Sequence, residues 1–178
     1  GEKYTVEATT SGSGKNAGEY NVNVTSYKIM KGTGDVTSSF NVTTLPGKLT
    51  IAKRNVTLTS ATDSKEFDGK PLTNHEVTVS GDGFAKGEGA AYTVTGSQKI
   101  AGSSTNYFTY TLKEGTKADN YNITKNEGTL TVTNRTAKYE ITVEANSGSE
   151  KYDGTEKSVS GLKTDTFTVN GETYTVSG

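Results

Sequence analysis

His75 is the single histidine of the chain, so any Ser-His-Asp relay would have to be built on it. It lies in Leu72-Thr73-Asn74-His75-Glu76 with no nucleophile elbow nearby. General-base work needs a positioned partner as well as an imidazole, and the segment predicts a surface residue. Glu66 and Asp68, echoed by Glu150 and Asp153, come nearest to a carboxylate pair. Glycoside hydrolysis needs two carboxyls facing each other across a cleft, whereas Asp68-Gly69 and Asp153-Gly154 read as tight turns. Asp82, Glu88 and Asp119 are Ca²⁺ ligands by type, yet no Asp-x-Asp-x-Asp-Gly loop holds them. The absence of Cys excludes thiolate nucleophiles, disulfides and Cys-rich metal sites together. The sequence therefore assigns no catalytic residue, no metal and no cofactor.

The remaining chemistry is aromatic. The chain has 10 Tyr and no Trp, and Tyr faces can stack sugars or anchor protein contacts. Most of these Tyr residues alternate with other apolar residues, as Tyr92 does with Val94, Tyr110 with Phe108 and Leu112, and Tyr121 with Ile123. That pattern predicts core packing. Tyr27 and Tyr107 are out of phase with their neighbours and are the candidates for exposed aromatic contacts.

The elements that must carry these residues are strands. Apolar residues recur with a period of two at Val56 and Leu58, Val77 and Val79, and Leu130 and Val132, with Thr, Ser, Asn and Lys between them. Thr suits this pattern, because its β-branched side chain fits a pleated backbone while its hydroxyl stays in water. The expected fold is all-β: small antiparallel β-sandwich, Ig-like domains of six or seven strands, with a β-grasp-like unit as the alternative. The segment Gly81–Gly89 is the most Gly-rich and reads as a crossover loop with one helical turn at Phe84-Ala85-Lys86. The net charge of −1 and the lack of a basic cluster argue against a nucleic-acid partner. No apolar run is long enough to insert into a membrane as a helix.

The chain also repeats itself. Phe40-Asn41-Val42-Thr43, with Gly47, Leu49 and Thr50, returns with identical internal spacing as Tyr121-Asn122-Ile123-Thr124, with Gly128, Leu130 and Thr131. Phe67-Asp68-Gly69 returns as Tyr152-Asp153-Gly154, and Tyr92-Thr93-Val94-Thr95-Gly96 returns as Tyr174-Thr175-Val176-Ser177-Gly178. The offsets drift slightly between these anchors, as loop insertions would make them do. A repeat of about 80 residues can bury a core of its own. On this phasing, residues 53–134 form a complete unit, 1–52 the second half of one and 135–178 the first half of another. A different phase would give two intact domains, 1–91 and 92–178. The junctions at Leu49 to Leu58 and Leu130 to Ile141 contain no Gly or Pro and predict stiff connections. The complementary halves predict self-association or domain swapping between molecules.

The order and spacing of Lys65-Glu66-Phe67-Asp68-Gly69, Tyr92-Thr93-Val94-Thr95-Gly96, Ala118-Asp119-Asn120-Tyr121-Asn122-Ile123 and Gly128-Thr129-Leu130-Thr131-Val132 resemble the MBG and YDG-type repeats of large bacterial surface proteins. Lys151-Tyr152-Asp153-Gly154-Thr155 matches the hallmark of that repeat. The resemblance covers essentially the whole chain and implies an extracellular, adhesin-like segment held on the bacterial cell surface, with no catalytic residues. It implies a non-catalytic tandem stalk, with host glycans, mucin or matrix protein as prospective partners. A direct glycan-binding module and an ancillary domain of a large secreted glycan-active enzyme are the alternatives. Some adhesins of this kind carry a Lys-to-Asn isopeptide crosslink beside a buried carboxylate, and abundant Lys and Asn here nominate no particular trio.

Overall fold

The computed structural model describes residues 1–177. It is all-β, and the strands in chain order are β1 (Thr5–Ser11), β2 (Gly18–Lys31), β3 (Gly34–Asp35), β4 (Gly47–Ile51), β5 (Arg54–Ser60), β6 (Asp63–Glu66) and β7 (Val77–Gly81). They continue with β8 (Ala90–Val94), β9 (Gly102–Asn106), β10 (Phe108–Leu112), β11 (Tyr121–Asn126), β12 (Gly128–Thr133), β13 (Thr166–Val169) and β14 (Glu172–Thr175). The helical segments described are two 3-10 turns, Thr37–Ser39 and Ala118–Asn120. A β-grasp needs a helix laid across its sheet, so that alternative does not hold.

Strand pairing repeats along with the sequence. The two 3-10 turns occupy equivalent places in successive repeats, each followed by an extended aromatic, Phe40 or Tyr121. β4 pairs antiparallel with the start of β2, as β12 does with β9. β1 pairs with the far part of β2, and β8 with β10. Between Thr9 and Thr10 the β1–β2 register skips Thr25, a bulge in the middle of β2. In the later copy Tyr107 separates β9 from β10.

Three sequence expectations need correction. The complete repeat contains eight strands, β5 to β12, rather than six or seven. Pairing is mixed, because β12 runs parallel to β6, with Leu130 opposite Asp63 and Val132 opposite Lys65. The long excursion between these strands supplies the crossover that parallel pairing requires. Gly81–Gly89 holds no helical turn; the Glu88 N–H closes a turn onto the Ala85 carbonyl at 2.9 Å. After β12, residues 134–144 form no strand.

The chain divides into two compact units. One comprises Gly1–Leu58, Val79–Ala91 and Thr111–Lys125, the other Thr59–Thr78, Tyr92–Tyr110 and Asn126–Gly178. Buried apolar residues follow the period of two on most strands: Val56 and Leu58 on β5, Phe108 on β10, Tyr121 on β11, and Leu130 and Val132 on β12. Val79 departs from it, 42% exposed on β7, which is an edge strand beside β5. In the second unit Leu72, Leu130 and Val132 form a core cluster against which Phe67 packs.

A polar brace accompanies that cluster. Asn106 is wholly buried, and its Nδ2 donates to the carbonyls of Ala61 and Asn74, both at 2.9 Å. Its own carbonyl accepts the Ser60 hydroxyl at 2.6 Å, and Ser60 Oγ in turn accepts the Gly128 N–H at 2.9 Å. Four separate segments are tied through two side chains. The buried polar residues among those described are Ser60 and Asn106, neither of them charged.

Candidate functional site

The carboxylates and the histidine singled out by type are dispersed. His75 is exposed. Glu66 accepts a hydrogen bond from Thr136 Oγ1 at 2.9 Å. Asp82 accepts the Asn55 N–H at 2.8 Å, Glu88 accepts the Tyr121 hydroxyl at 2.6 Å, and Asp119 lies exposed on the second 3-10 turn. Among the described residues no three His, Cys, Asp or Glu side chains converge on one point.

The two Asp-Gly turns share one design. Asp68 Oδ1 accepts the Lys70 N–H at 2.9 Å and Asp153 Oδ1 accepts the Thr155 N–H at 3.0 Å, each an Asx-turn. The following glycines have φ of 84° and 81°. Each carboxylate also meets a lysine: Lys65 for Asp68, at 2.7 Å, and Lys157 for Asp153. The ammonium contacts, with the turn N–H bonds, hold both carboxyls below the ordinary aspartate value.

The aromatic candidates lie in different surroundings. Tyr27 is 37% exposed on β2, opposite Ala8 of β1 and lining an apolar groove with Ile29. Tyr107 is 58% exposed at the β9–β10 break, where its carbonyl accepts the Thr95 N–H at 2.8 Å. Tyr152, read from sequence only as the first residue of its turn, is 96% exposed.

The most constructed polar geometry lies where one repeat meets the next. Within the first unit, β4 ends at Ile51 and β5 begins at Arg54, leaving a two-residue link of Ala52 and Lys53. Across this link the Asn120 side chain makes a two-sided bridge: Oδ1 accepts the Ala17 N–H at 2.8 Å and Nδ2 donates to Asn16 Oδ1 at 3.2 Å. Tyr20 fixes the receiving loop by donating its hydroxyl to the Asn16 carbonyl at 2.9 Å. On the other side Tyr121, next to Asn120, accepts the Ala85 N–H at 3.0 Å and packs against Phe84 with ring centroids 5.1 Å apart. Burial, with its bond to Glu88, raises the Tyr121 phenol above the ordinary tyrosine range. Ala17, Ile51, Ala85, Glu88, Asn120 and Tyr121 line a half-open pocket of about 130 Å³.

A second joint, inside the second unit, has a different composition. The Phe67 ring meets Tyr174 edge-on at 6.0 Å, and Asn170 Nδ2 donates to the Asp68 carbonyl at 2.7 Å and to Tyr139 Oη at 3.0 Å. Lys99 pairs with Glu172 at 2.6 Å, which raises the Lys99 ammonium above its ordinary value. The Arg135 guanidinium sits 4.4 Å from the Tyr139 ring centre. Asn170-Gly171 is the turn joining β13 to β14, with φ of 51° and 86°. That Asn-Gly pair was the available sequence signal for this hairpin. Nothing comparable marked Asn120, whose counterpart one repeat earlier is Ser39.

Chemically, both joints can hold backbone and ring surfaces together. The isopeptide expectation finds a different arrangement at the buried asparagine, since the Asn106 amide is committed to two backbone carbonyls. No family model matches the chain, and neither a curated protein nor a solved structure does so.

Proposed function

We propose that this chain is a segment of a non-catalytic tandem β-repeat stalk on a bacterial cell surface, of the MBG and YDG kind, in which each repeat is a small two-sheet sandwich and the joints set the angle between neighbours. The observation that carries this reading is the Asn120 bridge to Asn16 and Ala17 across a two-residue link. A free hinge requires a longer, Gly-rich connection, whereas a short link with side-chain bridges restrains both bending and twist. Such a restraint serves a protein that must project a distal part away from the cell wall. Antibodies raised against the chain should label intact cells of the source organism and lose that labelling when the cells are shaved with protease. Labelling only after lysis would overturn the surface assignment.

A second reading, a glycan- or mucin-binding module, draws on the exposure of Tyr107 and Tyr152. Weak sites repeated along an array gain avidity through effective concentration. Binding to a mucin and glycan array by bead-clustered chain, lost in Tyr107→Ala, would select this reading over the stalk.

A further inference from the structure

We propose that the parallel pair β6–β12 makes the complete repeat a tension-bearing element, a clamp that resists pulling along the chain. The biological use of the clamp rests on the stalk reading, and its existence does not. β6 is the second strand of the complete repeat and β12 the last, so tension carried by the chain reaches β6 from the Thr62 side and leaves β12 on the Asn134 side. The two strands run in the same direction, with Leu130 opposite Asp63 and Thr133 opposite Glu66. Thr62 therefore lies at one end of the pair and Asn134 at the other. Tension pulls the strands past each other along their length, and every cross-strand bond carries part of the load. Had β6 run antiparallel to β12, the same tension would meet both strands at one end and open the bonds one at a time.

Hydrogen bonds fasten the pair beyond both ends of its ladder. At the near end Ser60 Oγ accepts the Gly128 N–H at 2.9 Å and Thr62 Oγ1 accepts the Thr129 N–H at 3.1 Å. At the far end the Phe67 N–H donates to the Thr133 carbonyl at 2.9 Å, and Thr133 Oγ1 donates to the Lys65 carbonyl at 3.4 Å. Arg135 Nη1 reaches back to the Phe67 carbonyl at 3.5 Å. β12 is the middle strand of its sheet, held on its other edge by β9 from Gly128 opposite Asn106 to Val132 opposite Gly102. Its Leu130 and Val132 are 0% and 1% exposed and cluster with Leu72. Sliding β12 must drag both side chains through a close-packed interior that yields little.

Equilibrium stability alone does not call for this arrangement. Parallel pairing is slightly weaker per residue than antiparallel pairing, and it obliges the chain to make a long crossover between the two strands. What the parallel pair adds is a direction in which it is strong. Parallel ladder bonds are evenly spaced, so the load is spread without a wide gap along the strand.

Because the chain has no Cys, attachment points for single-molecule pulling can be set by substitution. Thr62→Cys with Asn134→Cys loads the pair from opposite ends, and Thr62→Cys with Asn126→Cys loads it from one end; Thr62, Asn126 and Asn134 are all exposed. Both double variants share the Thr62 change, and circular dichroism with urea unfolding checks that they keep their strands and match in stability. Rupture under load is governed by the barrier to unfolding rather than by equilibrium stability, so matched stability does not imply matched force. At one loading rate the opposite-end attachment should rupture at a force several times that of the same-end attachment, in a single step that frees the whole segment between the handles. Equal forces from the two attachments, or stepwise yielding of the opposite-end one at low force, would overturn the clamp. Either result leaves the surface labelling of cells untouched, so failure of the clamp and failure of the stalk reading are told apart.

Discussion

Gly96 lies directly against Asn106: a Cβ added at Gly96 would stand 2.5 Å from the Asn106 Cα and closer still to Oδ1. The glycine of the Tyr-Thr-Val-Thr-Gly motif is therefore the space into which the buried amide fits. Asn106 Oδ1 has no hydrogen-bond partner, so the amide sits there for its two Nδ2 bonds.

Gly96→Ala must displace backbone rather than a flexible side-chain tip, and overpacking of this kind costs roughly 1–3 kcal/mol or more. Asn106→Ala should cost about as much, because it strands the carbonyls of Ala61 and Asn74. Urea unfolding followed by circular dichroism should show both midpoints lowered. A Gly96→Ala chain as stable as wild type would mean that the backbone at Asn106 yields freely.

Gly128 is a second close approach, its Cβ position 2.5 Å from the Ser60 carbonyl oxygen. Gly128→Ala should be as damaging as Gly96→Ala, and the double variant should cost less than the sum, since both disturb the Ser60–Asn106 brace. Full additivity in the same unfolding experiment would show that the two glycines act independently.

How far the sequence disclosed these features depended on whether a feature leaves a periodic trace. Val56, Leu58, Phe108, Leu130 and Val132 declared themselves because a strand with one buried face must alternate. Val79 alternates too, yet its strand is an edge, and alternation does not report a strand's place in the sheet. The parallel β6–β12 pair was hidden because periodicity carries no direction. Asn106 looked like any polar residue in a Thr-, Ser- and Asn-rich chain, although the break at Tyr107 did appear as a residue out of phase. Asn120 was quoted in a motif for its neighbours, and only geometry gave it a task.

Tyr121→Phe removes a hydroxyl that donates to Glu88 and accepts from Ala85. Bonds to charged groups are worth about 1.5–3 kcal/mol, and the loss should fall near the lower end because Glu88 is only half-buried. The phenol's raised pKa means that the unfolded chain loses its proton first. Stability from this group is intact below pH 10.0, the ordinary tyrosine value, and declines as pH rises from there through the folded value. Tyr121→Phe should flatten that alkaline decline, and an unchanged profile would assign it to other tyrosines such as Tyr92, which burial also raises.

Asn120→Ala should leave thermal stability nearly unchanged while loosening the joint at Ala52–Lys53. Each lost bond is worth about 0.5–1.5 kcal/mol at most, and the groups it frees are partly open to water. The informative readout is NMR relaxation of amides in residues 14–20 against those in β5. Faster, decoupled motion of the first set is expected, and identical relaxation in the variant would show that the bridge does not restrain the joint.

The Asx-turn carboxylates give the acid-side behaviour. Asp68 and Asp153 both titrate below 3.8, the ordinary value, through their lysine contacts and turn N–H bonds. A depressed carboxylate contributes stability that is complete above the unfolded pKa and lost as pH falls through the lower, folded one. The window therefore lies below pH 3.8, and nothing from these groups should change between pH 5 and 7. Asp68→Asn keeps an oxygen to accept the Lys70 N–H but loses the ion pair with Lys65, so it separates the turn from the charge. The variant should fold with the same turn and show a smaller stability loss on acidification than wild type. If Asp68→Asn and wild type lose stability in parallel, the Lys65 pairing is screened by solvent and the turn bond alone sets the residue's role.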